Sequence, residues 1–276
     1  MYKIYYTTIA IMLLSFGGLH ASTTADSLSV SPSHELQQDA EAANIPSPTE
    51  ILRKSDRVRA PWADFIMIAQ LSFKKFNTSK KEVFRVFMKD YVKSLVSYIE
   101  PVKQRGNMLL MVDDNLWYYV NKTQRPMRIT PIQKLAGGAS YGDITRLYWS
   151  KDYIPIMKGD TVTTVQNQSY DTYFLKLSAT SKSATYHTID LYVEKHTFYP
   201  RKAVVYLRSG KKMKTMYFID YKMIAGKMMN TRIDFVDHLS SDAMTSMIFS
   251  NIIVKKSPDR FFLKSALPSL SSEAVY

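Results

Sequence analysis

The stretch that decides the fold runs from residue 106 to residue 153 and reads GNMLLMVDDNLWYYVNKTQRPMRITPIQKLAGGASYGDITRLYWSKDY. It begins with two apolar runs, residues 108–112 and 116–120, which flank an Asp-Asp-Asn turn, and this pattern predicts a β-hairpin. Because side chains alternate along a strand, Trp117 and Tyr118 are expected on opposite faces of the sheet. The stretch therefore starts as antiparallel sheet.

The second half of the stretch predicts two short helices around a pair of glycines. A threonine followed by proline predicts a helix over residues 131–136, since proline is favoured at the first helical position. Gly137-Gly138 ends that helix. Ser140 and Asp143 have the spacing of a capping box and predict a second helix over residues 141–149.

Several short motifs of the stretch carry a resemblance to a known family. They are G-N-M-L (106–109), D-N-L-W-Y-Y (114–119), R-P (125–126), R-I (128–129), G-G-A-S-Y-G-D (137–143) and D-Y (152–153). On these residues the chain resembles the bacterial outer-membrane lipoprotein-sorting proteins, which share the fold of the periplasmic lipoprotein carrier. The likeness covers about residues 49–267. It implies a curved, incomplete antiparallel barrel whose open side is closed by short helices over a hydrophobic cavity for acyl chains.

The N-terminal region predicts export. Residues 1–21 contain one lysine, a short apolar core and a small-residue cleavage site, as in a secretory signal peptide. A retained membrane anchor is the alternative, although the apolar core is shorter than the roughly 20 residues of a spanning helix. The chain has no cysteine, so no lipidated cysteine and no disulfide are expected. A periplasmic, non-lipidated protein is the prediction.

A polar leader separates this signal from a strongly basic body. Residues 22–48 are rich in Ser, Thr, Ala and Gln, and this composition predicts a disordered segment. The body from residue 51 onward has 36 basic and 19 acidic residues, a net charge of +17. Such a charge favours an anionic partner such as lipid head groups, an acidic protein, or solubility alone. No nucleic-acid motif accompanies it, so nucleic acid is not an expected partner.

The rest of the body predicts a mainly β fold with a few short helices. A capped helix is expected over residues 50–58, three strands lie between it and residue 100, and seven strands separated by turn signals follow residue 160. We predict a single domain over residues 49–267, built as a curved, incomplete antiparallel β-barrel of about eleven strands with helices covering the open side. Residues 268–276 are expected to be a flexible tail.

The cavity and its lid can be assigned to particular residues. Apolar positions that share one face of the early strands are expected to line the cavity, namely Phe65, Met67, Leu71, Phe73, Phe84, Met88, Leu109 and Tyr118. Residues 131–149 are expected to form a lid that swings about the glycine pair, because glycine adopts positive φ readily. The helix over residues 50–58 is the alternative lid. The lid and hinge residues are Leu135, Gly137, Gly138, Ile144 and Leu147.

A rival hypothesis is a serine hydrolase. Residues 138–142 match the G-x-S-x-G nucleophile elbow, with Ser140 as the nucleophile. Two candidate pairs follow in the right chain order, Asp190 with His196 and Asp220 with His238. The chain lacks the alternation of strands and helices that a hydrolase needs, and Ser140 is explained as a helix cap. No catalytic residue, metal ligand or cofactor is therefore assigned, since the five histidines lack ligand spacing.

The predicted function is a non-enzymatic periplasmic carrier of acyl chains. Its expected ligand is the lipid moiety of a lipoprotein or a related acyl lipid, and its expected role is outer-membrane lipoprotein sorting or the transfer of phospholipid or another lipid. Transient membrane contact and an inner-membrane exporter are the expected partners. A regulatory lipid sensor is a further alternative. The lipoprotein carrier has a gating arginine on an early strand, whereas residues 87–98 here offer only Lys89 and Lys93.

Overall fold

Residues 45–75, 78–240 and 243–273 are described by the computed structural model. The predicted signal peptide, residues 1–21, and residues 22–44 of the leader lie outside this part of the chain. One compact unit begins at Pro46. Its helices are α1 (Pro48–Arg59), α2 (Tyr141–Thr145) and α3 (Leu267–Ser272). Its strands are β1 (Phe65–Lys75), β2 (Thr78–Lys89), β3 (Lys93–Glu100), β4 (Met108–Val112), β5 (Asn115–Val120), β6 (Arg125–Ile129), β7 (Lys134–Ala136), β8 (Ala139–Ser140), β9 (Tyr153–Val165), β10 (Gln168–Ala179), β11 (Thr188–Glu194), β12 (Pro200–Tyr206), β13 (Lys212–Phe218), β14 (Tyr221–Ile224), β15 (Lys227–Asn230), β16 (Arg232–Asp237) and β17 (Ala243–Ile253).

One large antiparallel sheet holds thirteen of these strands. Their order is β6-β5-β4-β3-β2-β1-β17-β16-β13-β12-β11-β10-β9, and the end strands β6 and β9 do not pair with each other. The sheet is therefore open, as the prediction of an incomplete barrel requires. Two separate hairpins, β7–β8 and β14–β15, complete the β structure of the described residues.

The sheet must bend to bury its apolar residues. Neighbouring strands lie about 4.8 Å apart, so thirteen strands laid flat would span roughly 58 Å. Leu109 on β4 and Leu175 on β10, which have eight strands between them, nevertheless belong to one continuous cluster of buried side chains. We call it the inner cluster. The sheet curls around it, and this confirms the predicted curved, mainly β fold.

A smaller apolar cluster lies on the opposite face of β2 to β5. This outer cluster is formed by Phe87, Leu95, Met108, Leu110, Tyr119, Phe262, Leu267 and Leu270. The last three belong to the C-terminal segment, where Leu270 is fully buried in α3. The prediction that the chain is a flexible tail from residue 268 is thus wrong for residues 268–272. A leucine in the tail gains more by packing on the exposed apolar face of the sheet than by remaining in water.

Strand periodicity predicted the early sheet correctly. The hairpin of β4 and β5 is confirmed, although its turn has two residues rather than the expected three, because Asn115 pairs with Val112. Trp117 packs with the outer cluster, whereas Tyr118 packs with the inner cluster. The helix expected over residues 50–58 is α1, and Ser47 caps it by accepting a hydrogen bond from the Glu50 N–H at 3.2 Å.

The number of strands was underestimated. About eleven were predicted, whereas the main sheet alone has thirteen. The chain over residues 213–224, expected to be one strand, is divided into β13, which stays in the main sheet, and β14, which pairs with β15. Apolar alternation continues through the break, so the sequence pattern alone does not reveal where the chain leaves the sheet.

Candidate functional site

The eight residues predicted to line a cavity all lie at the inner cluster. Phe65, Met67, Leu71, Phe84, Met88 and Leu109 are fully buried in it, and Phe73 and Tyr118 are half-buried and pack against it. Strand register explains this, since Phe65 is opposite Met88 and Leu109 is opposite Tyr118. Residues that face each other across an antiparallel pair lie on the same side of the sheet. Their common face is as expected, and their role in holding a ligand remains a prediction.

A cleft of about 660 Å³ lies at the end of the β1–β2 hairpin. Three parts of the chain form it: the hairpin itself, the turn that follows β3, and the β7–β8 hairpin. Its apolar surface comes from Phe73, Leu135 and Ala136, all of which also contact or belong to the inner cluster. Its charged residues are Lys74, Lys80, Lys81, Glu82, Lys103 and Lys134. We call it the basic cleft.

Three tyrosines at the inner cluster, Tyr98, Tyr118 and Tyr141, which we call the tyrosine layer, interact with Glu82 of the basic cleft. The ring centroids of Tyr98 and Tyr118 are 6.1 Å apart, and those of Tyr118 and Tyr141 are also 6.1 Å apart. The Asn107 side chain donates a hydrogen bond to the Tyr118 hydroxyl at 3.1 Å. Burial raises the pKa of all three phenols, with a further contribution from the Glu82 carboxylate. These hydroxyls are therefore neutral hydrogen-bonding groups at neutral pH.

Residues 137–152, which we call the covering segment, lie over the inner cluster and are fixed by buried polar contacts. The first contact is made by Lys214 on β13. Its ammonium donates to the Gly138 carbonyl at 2.9 Å, to Ser140 Oγ at 3.1 Å and to Asp143 Oδ2 at 2.5 Å. Asp143 Oδ1 also accepts a hydrogen bond from the Tyr186 hydroxyl at 2.5 Å. Burial lowers the pKa of Lys214, and the adjacent Asp143 carboxylate opposes this shift.

The second contact joins the covering segment to α1. Asp56 is fully buried and accepts hydrogen bonds from the backbone N–H groups of Trp149 at 3.0 Å and Ser150 at 2.6 Å. Arg59 donates to the same carboxylate at 3.3 Å, and its guanidinium lies 3.6 Å from the centre of the Trp149 ring. Burial raises the pKa of Asp56, while Arg59 and the two N–H groups lower it. Movement of α1 would separate this carboxylate from both backbone N–H groups and leave it with Arg59, which lies on the same helix.

The third contact is made by Arg146. Its guanidinium donates to Asp152 Oδ1 at 2.5 Å, to the Asp113 carbonyl at 2.8 Å and to Asp114 Oδ1 at 3.2 Å. Only 8% of the Arg146 side chain and 14% of that of Asp152 are exposed, whereas the Asp114 side chain is largely exposed. They tie the covering segment to the turn between β4 and β5.

The predicted helix over residues 131–136 is wrong, and so is the helix–glycine–helix arrangement. Residues 134–140 form the β7–β8 hairpin, in which Gly137-Gly138 is the turn. Gly137 has φ +54°, and a Cβ at this position would collide with Thr245 and lie 2.8 Å from the Cβ of Phe73. The Gly138 N–H donates to Thr245 Oγ1 at 2.8 Å. The glycine pair is therefore held on both sides by the sheet and is not a free hinge.

The other predicted lid residues do face the interior. Ile144 and Leu147 are buried in the inner cluster, and Leu135 is half-buried against it. The second helix begins at Tyr141 with the predicted capping box, in which the Ser140 N–H donates to Asp143 Oδ2 at 2.8 Å. It ends at Thr145 rather than Trp149. The helix is short because the next residues extend to reach Asp56 and Asp152.

Ser140 does not have the geometry of a nucleophile elbow. Its backbone is extended, with φ −102° and ψ 161°, whereas the elbow places its serine in a strained turn at an accessible surface. Ser140 is 1% exposed, and its hydroxyl accepts from an ammonium that Asp143 already binds. The expected acid–histidine pairs also have other partners, since Asp190 accepts from Tyr206 and His238 lies 2.9 Å from the Thr215 hydroxyl.

Two further features bear on metal binding and on membrane insertion: the grouping of possible metal ligands and the length of the helices. Within the described ranges, no group of three or more His, Asp or Glu side chains is arranged to hold a metal ion. Among the helices of those same ranges, none combines the length and the apolar character that crossing a bilayer requires.

Comparisons with known proteins place this architecture in a family. A family model described as "Uncharacterized protein" matches residues 90–269. A search of curated proteins finds no match. Among solved structures, the chain is similar to a LolA superfamily protein from Nitrosomonas europaea, with 28% identity, a TM-score of 0.73, and coverage of 80% of this chain and 99% of that one.

Two further structures have the same fold. A DUF1329 family protein from Desulfovibrio piger is 20% identical, with a TM-score of 0.68 and coverage of 80% of this chain and 97% of that one. A domain named as an outer membrane lipoprotein-sorting protein, from Vibrio parahaemolyticus, is 19% identical, with a TM-score of 0.68 and coverage of 80% and 98%. The open sheet and its inner cluster thus define a protein of the lipoprotein-sorting fold class. The chain belongs to the family whose model matches residues 90–269, and it has the LolA superfamily fold.

Several residues of the site were not found from the sequence. Lys214 lies in an alternating strand where a lysine normally faces solvent, and Asp56 lies on a helix with many charged neighbours. The one available signal was the G-G-A-S-Y-G-D motif, whose polar residues needed a buried cationic partner. Nothing in the local sequence identifies which of 37 basic residues supplies it.

Proposed function

We propose that the protein is a non-enzymatic periplasmic carrier that holds the acyl chains of a lipoprotein or a related lipid in the inner cluster. The observation that carries this proposal is the continuous inner cluster of an open sheet, against which α1 and the covering segment pack. An acyl chain that enters the cluster is removed from water, and each buried methylene contributes about 0.8 kcal/mol. One long chain therefore supplies ample affinity.

Room for a chain would come from flexible side chains. The inner cluster contains six buried methionines, Met67, Met88, Met111, Met216, Met229 and Met247. Methionine is unbranched and adapts its shape at low cost, so it can make way for a chain and refill the space when the chain leaves. An ordinary core of branched residues would resist such repacking.

Release requires the cover to move, and α1 is the better candidate for the moving part. The β7–β8 end of the covering segment is bound to β13 and β17 by Lys214 and Thr245. In contrast, α1 is an amphipathic helix that packs on the inner cluster through Ile51 and Leu52, and its hydrogen bonds to the covering segment are made by Asp56. We infer that α1 swings away while the β7–β8 hairpin stays fixed. An inner-membrane exporter and transient membrane contact remain the proposed partners.

Native mass spectrometry of the protein from its own periplasm, followed by lipid extraction, tests this function. A co-purifying acyl lipid is expected, and the lipid-free protein should bind a fluorescent fatty acid. An empty protein that also fails to bind the probe would overturn the carrier proposal.

A matched pair of variants tests the place of binding. Met67→Leu with Met247→Leu conserves volume but stiffens the inner cluster, so weaker binding of the probe is expected. Met108→Leu with Met127→Leu makes the same change away from it, one position in the outer cluster and one exposed, and should leave binding unchanged. If both double variants bind the fluorescent fatty acid equally well, the inner cluster is not the binding site.

A further inference from the structure

We propose that the basic cleft binds the phosphate-bearing, anionic head group of a lipid whose chains lie in the inner cluster. This inference rests on the proposed function and names the substrate class for the same site. It selects an anionic glycerophospholipid over a zwitterionic one.

Charge is the first support. Five lysines line the basic cleft, against one acidic residue, Glu82. Lys81 is paired with Glu100 at 2.8 Å, and Lys134 lies 3.8 Å from Asp237. Among the described residues, Lys74, Lys80 and Lys103 have no ion-pair partner within 4.0 Å. Of these three, Lys103 interacts with the Glu82 carboxylate at longer range, and the cleft still has an excess of positive charge. Ammonium groups in a concave site attract and retain an anion, because the walls of a cleft focus the electrostatic field.

The direction of these side chains is the second support. Lys80 is opposite Phe73 in the β1–β2 register, and Glu82 is opposite Leu71. Phe73 and Leu71 face the inner cluster, so Lys80 and Glu82 face the same side of the sheet. These are charged groups on the concave face, where the sheet otherwise carries apolar side chains. The Lys80 ammonium beside this apolar face suits a ligand that carries a negative charge next to apolar chains.

The third support is that three kinds of surface in this region match the three parts of a phospholipid. The inner cluster is apolar, the tyrosine layer of Tyr98, Tyr118 and Tyr141 offers neutral hydroxyls, and the basic cleft offers ammonium groups. A glycerophospholipid consists of acyl chains, ester carbonyls and a phosphate. The volume of about 660 Å³ lies within the range of ligand sites, roughly 300–1,000 Å³.

The test compares two fluorescent phospholipids with identical chains, phosphatidylglycerol and phosphatidylcholine, binding to the lipid-free, full-length protein. We expect wild type to favour phosphatidylglycerol by at least about tenfold, and the preference should fall with rising salt. The triple variant Lys74→Gln, Lys80→Gln, Lys103→Gln should lose the preference and keep its affinity for phosphatidylcholine. Its control, Lys158→Gln, Lys211→Gln, Lys222→Gln, removes the same charge from exposed positions elsewhere and should keep the preference.

The outcomes separate this inference from the proposed function. Equal affinity for the two lipids, or a preference lost equally in both triple variants, would overturn the head-group site while leaving acyl-chain binding intact. Binding of inorganic phosphate or glycerol phosphate without a lipid preference would also overturn it, because the cleft would then be a site for a free ion. Failure to bind either lipid or the fatty-acid probe would count against the carrier function itself.

Discussion

Lys214 Nζ lies 2.5 Å from Asp143 Oδ2, and the side chains of both residues are only 1% exposed. This ion pair joins β13 to the covering segment across 71 positions of the sequence. A buried pair of this kind contributes little over an apolar replacement, but removal of one partner leaves a charge without solvent or counter-ion. The pair therefore fixes where the β7–β8 hairpin and α2 dock.

The first prediction concerns this pair. Lys214→Met should lower the free energy of unfolding by about 3–5 kcal/mol, because Asp143 is then buried without its cation. Asp143→Asn should also be destabilising, and the double variant should cost less than the sum of the two because the partners are coupled. Urea denaturation measures all three. Lys134→Met is the control, since this lysine is 61% exposed and should change stability by less than about 1 kcal/mol.

The second prediction compares two glycines that both have positive φ. Gly210 has φ +82° and open space around it, so Gly210→Ala should cost about 1–2 kcal/mol from backbone strain alone. Gly137→Ala adds a collision with Thr245 and Phe73, and should cost at least about 2 kcal/mol more. Thermal and urea unfolding give the difference. Equal costs would mean that the turn is free to shift, as a hinge would be.

The third prediction tests α1 as the moving cover. Asp56→Asn keeps the size of the side chain but leaves one oxygen to accept from two backbone N–H groups, those of Trp149 and Ser150. Exchange of a bound fluorescent fatty acid, followed by stopped flow, should become several-fold faster. Glu50→Gln is the control on the same helix, because Glu50 is exposed and pairs only with Lys54. Unchanged exchange in a stably folded Asp56→Asn variant would place the moving part elsewhere.

The fourth prediction is a pH dependence of anionic-lipid binding. Burial raises the pKa of Glu82, and Lys103 opposes this shift. As pH falls towards the raised pKa of Glu82, this carboxyl gains a proton and the cleft becomes more positive, so affinity for phosphatidylglycerol should rise. The other charged residues of the cleft are Lys74, Lys80, Lys81, Lys103 and Lys134, and burial keeps the pKa of Tyr98, Tyr118 and Tyr141 above the usual range.

A matched variant isolates this group. Glu82→Gln should bind phosphatidylglycerol at pH 7 as tightly as wild type does at low pH, with little further change on acidification. Fluorescence titration at several pH values measures both. Stability depends on pH in the same direction as lipid affinity does. Because the pKa of Glu82 is raised in the folded state, its ionisation destabilises the native state as pH rises through that pKa. A wild-type affinity that falls on acidification would contradict the assignment.

The fifth prediction concerns the C-terminal segment. Leu270 is fully buried in the outer cluster, so Leu270→Ala should cost about 2–5 kcal/mol. Leu263 lies in the same segment but is 53% exposed, and Leu263→Ala should change stability by no more than about 0.5 kcal/mol. If urea denaturation shows equally small changes in the free energy of unfolding for both variants, the C-terminal segment is a flexible tail and does not pack on the sheet.

The sequence by itself determined the strands and their faces. Alternation placed Phe65, Met67, Leu71 and Phe73 on one side of β1, and the Ser-Pro start predicted α1, because both signals depend only on neighbouring residues. Tertiary structure decided the rest. β7 and β8 have only three and two residues, too few to show a periodic pattern in the sequence. Their turn is held by hydrogen bonds from the Gly138 N–H to Thr245 and from Lys214 to the Gly138 carbonyl. The basic cleft, the buried Lys214 and the docked α3 bring together residues far apart in the chain, and local periodicity carries no information about such contacts.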